Sequence, residues 1–261
     1  MPTRALFSLL VFFSSLIPAV AGDRSALDTR LAEGDRAYRA SDNAKALEAY
    51  LAAEQLAPED FVVLVRMTRL YNDMGRLLLR RSPDAETCYR KAIAYAEHLR
   101  EGYPDRAETW FFLALCHGSL VPFKSTGEKL ELSHDVRANA EHALAIDSNF
   151  TMAYVILGIY YRGVARLGWV ERTIVNGILG KDLVGTLGDS ERMLLRARSL
   201  EPENPYVHYE LSYTYRAMDR TAEAVEELRH ILTIPPTNAR EVQQQEEARD
   251  TLRRLANGEG H

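Results

Sequence analysis

The sequence predicts an all-α protein, an α-solenoid of about five helix pairs closed by a C-terminal capping helix. Three observations predict it. Apolar residues recur at helical spacing in successive runs, each run is closed by a residue that stops a helix, and no segment sustains the period-2 alternation of a sheet protein. The closing positions are Pro58, Pro104, Ser148, Pro202 and Pro236, separated by 46, 44, 54 and 34 residues. With 261 residues, 46% hydrophobic and 26% charged, the chain can bury about 70% of the surface it exposes when unfolded, so a core is available without metals or bridges. A net charge of −5 argues against a nucleic-acid or polybasic membrane binder. Two cysteines exclude a disulfide framework.

The first element is not part of that core. Residues 1–21 carry Arg4, an apolar stretch of 13 residues from Ala5 to Ile17, Pro18 and the small-x-small run Ala19-Val20-Ala21. This is the pattern of an export signal cleaved after Ala21. The stretch falls short of the roughly 20 apolar residues a spanning helix needs. The expectation is therefore a mature repeat domain over 22–258, exported to a periplasm, with a membrane contact disfavoured.

The repeat is read from small and large residues at fixed intervals. Gly34, Ala46, Tyr50, Ala53 and Pro58 follow one another at 12, 4, 3 and 5 residues, the skeleton of a tetratricopeptide helix pair. Trp110-x-x-Leu113-Ala114-x-x-His117 and Tyr154-x-x-Leu157-Gly158-x-x-Tyr161 repeat its first-helix pattern. Against the tetratricopeptide period of about 34, the second, third and fourth pairs carry extra residues and the fifth is of standard length. Each pair is apolar on both flanks, so stacking is obligatory. Small residues at Gly34, Ala46, Ala53, Ala114 and Gly158 are expected to let paired helices approach, and Tyr50, Trp110 and Tyr161 to fill the gaps between pairs. After Pro236 comes a polar helix with Thr237 or Asn238 as N-cap, apolar positions Val242, Ala248, Leu252 and Leu255, and Gly258 as its stop, which reads as the cap of the stack.

The run Thr109 to Cys116, the Lys124–Lys129 insertion before Ala143-Leu144-Ala145-Ile146, and Leu157-Gly158-Ile159 followed by Trp169-Val170-Glu171-Arg172-Thr173-Ile174 are the features by which the chain resembles the regulator-of-microtubule-dynamics family. The resemblance covers about residues 30–255. It implies a tetratricopeptide scaffold for protein contacts and no established catalytic residues. An export signal and a microtubule role point to different compartments, so the fold and the scaffold role are what the resemblance implies here.

No catalytic constellation is legible. The seven histidines are scattered without His-Glu-x-x-His spacing. Glu226-Glu227 and Glu246-Glu247 are helix neighbours that point apart, and a phosphate loop at Gly177–Asp182 lacks both its first glycine and its metal-binding Ser or Thr. Cys88 and Cys116 are expected to be packed core thiols. The protein is thus read as non-enzymatic, without metal or cofactor.

Two features carry functional expectations. First helices of such pairs line a concave groove, and register places Val65, Arg69 and Asn72, then Phe111 and Leu115, then Val155, Ile159 and Arg162, then Tyr206, Tyr209, Tyr213 and Arg216 there. Tyrosine and arginine dominate interface hot spots, which suits a peptide or helix partner; alternatively, the tyrosines pack against the cap. The second feature is the insertion 162–189, glycine-rich and apolar, with Trp169 as its candidate partner-binding residue. It folds back as a lid or offers a contact surface. The expected function is a non-catalytic adaptor gripping a protein partner; the alternative is an accessory protein holding a small apolar ligand.

Overall fold

A computed structural model of the chain describes residues 17–78, 82–167 and 184–257. Short polar side chains start most of its helices. Asp42 accepts from the Lys45 amide, Asp60 from Val62 and Val63, Ser82 from Ala85, Asn204 from Tyr206, and Asn238 from Arg240 and Glu241. Reciprocal capping boxes form at Ser125/Glu128 and Thr186/Asp189. Of the two expected caps of the last helix, Asn238 is the one that caps.

The helices are α1 (Ile17–Arg39), α2 (Asn43–Leu56), α3 (Phe61–Leu77), α4 (Pro83–Gly102), α5 (Ala107–Leu120), α6 (Thr126–Ile146), α7 (Thr151–Ala165), α8 (Leu187–Leu200), α9 (Pro205–Ala217), α10 (Thr221–Thr233) and α11 (Ala239–Ala256), with a 3₁₀ turn at Val121–Phe123. They pack as five pairs, α1 on α2 through α9 on α10, and α11 packs on α10. Pairs end two to three residues before Pro58, Pro104, Ser148, Pro202 and Pro236, as the sequence predicts. First helices α3, α5, α7 and α9 lie side by side as the inner layer.

The excess length of the longer repeats is absorbed in different ways. In the second pair the helices are longer, 17 and 20 residues against 13 and 13 in the fifth. The third pair has a 21-residue α6 behind the 3₁₀ turn. In the fourth, α7 runs through Ala165 and α8 begins at Leu187, so the extra residues lie in the connection 166–186. The insertion expected over 162–189 thus has helical ends. Residues 168–183, with Trp169, and the stop expected at Gly258 lie outside the described residues.

Glycine sets how closely a pair packs. A Cβ on Gly34 would stand 2.2 Å from the Tyr50 ring, and one on Gly158 would stand 2.6 Å from Leu194. Tyr50 therefore fills a notch within its own pair rather than a gap between pairs, a correction to the sequence reading. Trp110 does both: its ring lies 4.0 Å from that of His142 within its pair, and it packs on the cluster that joins Ala107 and Ala143 to Ala153 of the next pair. The principal core runs from Leu27 to Val164 through the first four pairs, a second joins Val155, Leu194, Val207 and Leu211, and a third seats α11 through Leu228, Ile231 and Ala248. Val242, one of the sparse apolar positions of the last helix, is 43% exposed. Cys88 and Cys116 are free thiols, Cys116 fully buried.

Candidate functional site

The inner layer curves far enough that the last helix meets the first. Between them lies a groove of about 740 Å³. Its floor is apolar: Phe111, Phe112 and Leu115 from α5 and Met152 from α7. Phe111 is braced by Phe112 and Phe150, with ring centroids 5.0 and 5.5 Å away. One wall is Tyr38 and Arg69, the guanidinium of Arg69 lying 5.8 Å over the Phe112 ring. The opposite wall is the turn from Glu201 to Tyr206, and the start of α11 forms the rim with Asn238, Arg240, Glu241 and Gln244.

The opposite wall is held from behind. His208, 4% exposed, puts Nδ1 2.5 Å from Oε2 of Glu227 and Nε2 2.6 Å from the Pro202 carbonyl oxygen. Arg198 donates to the other carboxylate oxygen of Glu227 at 2.5 Å. One imidazole thereby ties the groove-lining turn to α10. Burial, reinforced by the Glu210 carboxylate, pushes the Tyr206 phenol above its ordinary value, so it stays protonated at the groove edge.

Of the residues the sequence singles out, Arg69, Phe111, Leu115 and Tyr206 come together in this groove. Others do not. Val65, Asn72 and Val155 are buried at 6%, 6% and 0% exposure and are not part of the groove lining. Ile159 packs on the same cluster as Val155. Arg162 is a buried rivet between α7 and α9: it donates to the Glu210 carbonyl at 3.0 Å, the Thr214 hydroxyl at 3.1 Å and the Glu210 carboxylate at 2.5 Å. Tyr209 packs on the α11 core and donates to Glu247 at 3.1 Å, the packing alternative for that tyrosine. Tyr213, 38% exposed, sits between the guanidiniums of Arg162 and Arg216, 5.6 and 5.5 Å from its ring centroid. This cation–aromatic stack lies apart from the groove lining.

Sequence reasoning missed Tyr38, Met152, the Glu201–Asn204 turn and Arg240. Tyr38 and Met152 lie on first helices and were within reach of the same register argument. Arg240 was not, because the residues it meets, Asp73, Asn43 and Tyr38, lie far back along the chain, Asn43 197 positions away.

Stacked helix pairs with small-to-large notches and an inner concave layer define a tetratricopeptide-type α-solenoid. The comparisons with known proteins agree. The pattern of the family described as regulator of microtubule dynamics protein 1-3 matches residues 30–256, and the chain belongs to that family. It is 22% identical over 167 residues to regulator of microtubule dynamics protein 3 of Rattus norvegicus, covering 64% of this chain and 35% of that one. It is 18% identical over 184 residues to regulator of microtubule dynamics protein 1 of Mus musculus, covering 70% and 60% respectively. The matched region thus spans only about a third to three fifths of these relatives. Among solved structures, a thermophilic tetratricopeptide-repeat protein of Thermus thermophilus superposes with a TM-score of 0.64 at 16% identity, over 85% of this chain and 98% of that one.

Proposed function

We propose that the protein is a non-catalytic scaffold that holds a segment of a protein partner in the groove between α3, α5 and α7 on one side and the α8–α9 turn and α11 on the other. The observation that carries this reading is the lining itself. An apolar floor of two phenylalanines, a leucine and a methionine is flanked by Tyr38, Arg69 and Tyr206, the residue types that anchor interfaces. Arg69, Phe111 and Tyr206 are the contact residues, and Tyr213 with Arg216 forms an outlying patch. The microtubule role in the relatives' names is not part of this proposal.

Export with cleavage after Ala21 belongs to the same reading. Leu27 and Leu31, buried positions of α1, lie beyond residue 21, so loss of residues 1–21 leaves them in place. Intact mass of the protein from cells tests this, with Gly22 as the expected N-terminus.

The scaffold itself is tested by placing a photo-crosslinking residue at Leu115 or at Tyr213 and comparing what each captures in cells. Capture at 115 that disappears with Phe111→Ala and Arg69→Glu is the expected result. Equal capture from 213 alone, insensitive to those substitutions, rejects the groove.

A further inference from the structure

We propose that Arg240 is the moving part of a clasp that closes the two ends of the solenoid over the groove, and that opening this clasp controls entry of anything macromolecular. The closure joins residues far apart in sequence. From the first turn of α11, Arg240 donates through Nη1 to Oδ2 of Asp73 on α3 at 2.9 Å and through Nη2 to Oδ1 of Asn43 on α2 at 3.3 Å. Its guanidinium carbon lies 4.0 Å from the centroid of Tyr38 on α1. Tyr38 in turn donates its hydroxyl to the same Asp73 oxygen at 2.5 Å. One side chain thus engages three helices of the first two pairs.

Two features make this a clasp rather than a welded joint. The helix that carries Arg240 is seated by its apolar face on α10, through Leu228, Ile231 and Ala248, and its closest described links to the first two pairs are these polar ones. The joint is also incompletely satisfied: Nε of Arg240 is buried with no acceptor, although the side chain as a whole keeps 21% exposure. A half-buried ion pair and one cation–aromatic contact favour a closed state by a factor of about ten to a hundred, leaving an open minority that a partner can select. The clasp stands directly over the site, because Tyr38 and Arg240 are themselves groove wall and rim. This inference concerns access and holds whatever the partner is.

The test uses Leu115→Cys on the groove floor in a Cys88→Ser background; the native Cys116 is 0% exposed, and the parent without the new cysteine supplies its background rate. The probes are N-ethylmaleimide and a maleimide carried on a polyethylene glycol chain. The ratio of large-probe to small-probe rate reports opening. Arg240→Ala is expected to raise that ratio about tenfold, Asp73→Asn to raise it, and Arg240→Lys to fall between. Raised salt should increase the ratio in the intact protein and leave Arg240→Ala unchanged. If a variant loses helix content by circular dichroism, the salt response of the intact protein decides alone. An unchanged ratio in folded variants, or a salt-insensitive ratio in the intact protein, overturns the clasp.

Discussion

Tyr50 of α2 lies in a notch that only glycine at position 34 of α1 leaves open, with a hypothetical Cβ there 2.2 Å from the ring. Tyr50 is fully buried and its hydroxyl donates to Asp35 Oδ1 at 2.7 Å, so the ring has no freedom to withdraw. Gly34→Ala sets two effects against each other. Alanine in a helix interior gains about 1 kcal/mol, while overpacking at a fixed neighbour costs about 3 kcal/mol. The expected net loss is about 2 kcal/mol, read as a lower denaturant midpoint. Gly102→Ala is the control, since nothing lies within 4 Å of a Cβ there.

Asp35 itself joins three helices. It accepts from Tyr50 on α2 and from Arg66 on α3 through Nε at 2.7 Å and Nη2 at 3.2 Å. Burial pushes the carboxyl up, but the hydrogen bonds from Arg66 and Tyr50 outweigh it and hold the group below its usual range. A folded-state value depressed below the unfolded one stabilises the protein above about pH 4 and loses that stability as pH falls through the lower, folded value. Asp35→Asn should therefore lower stability near neutrality and flatten its decline as pH falls below about 4. Urea midpoints measured from neutrality down through that limb check it. An unaltered slope means that Asp35 does not drive the acid limb.

How much of this was legible in the sequence depends on how far apart the interacting residues lie. Pair boundaries were readable because prolines stop the helices locally, and the Gly34–Tyr50 notch was half-readable because spacing shows a small and a large residue without showing which face each takes. Inner-face register gathered Arg69, Phe111, Leu115 and Tyr206, which line the groove, together with Val155 and Arg162, which do not. A helix facing both a groove and two neighbours buries more than half its circumference, and periodicity alone does not separate those directions. The closure through Arg240 depends on accumulated curvature over all five pairs, which no local pattern encodes.

The groove wall supplies a third prediction. His208 holds the Pro202 carbonyl and the Glu227 carboxylate at once. His208→Ala leaves Glu227 buried, with Arg198 as its remaining charged partner, and releases the turn. A loss of about 2–3 kcal/mol is expected from the stranded groups. More specifically, amides from Asn204 to Val207 should exchange faster with solvent than those of α3, which a general destabilisation would not produce. Uniform acceleration across all helices would count against a wall held by His208.

Arg162 and Tyr213 touch across the α7–α9 seam, yet they should behave oppositely. The Arg162 and Glu210 side chains are 13% and 9% exposed, so removing either leaves a buried charge stranded and costs about 3 kcal/mol or more. Tyr213 is 38% exposed and lies outside every apolar cluster described above, so Tyr213→Ala should cost less than about 1 kcal/mol, the cation–aromatic share. A double-mutant cycle decides the first point: Arg162→Met with Glu210→Gln together should be less damaging than the sum of the single changes, because the pair is lost as a unit. Strict additivity would show that the two act independently. Equal damage from Tyr213→Ala and Arg162→Met would place the tyrosine in the core, contrary to its exposure.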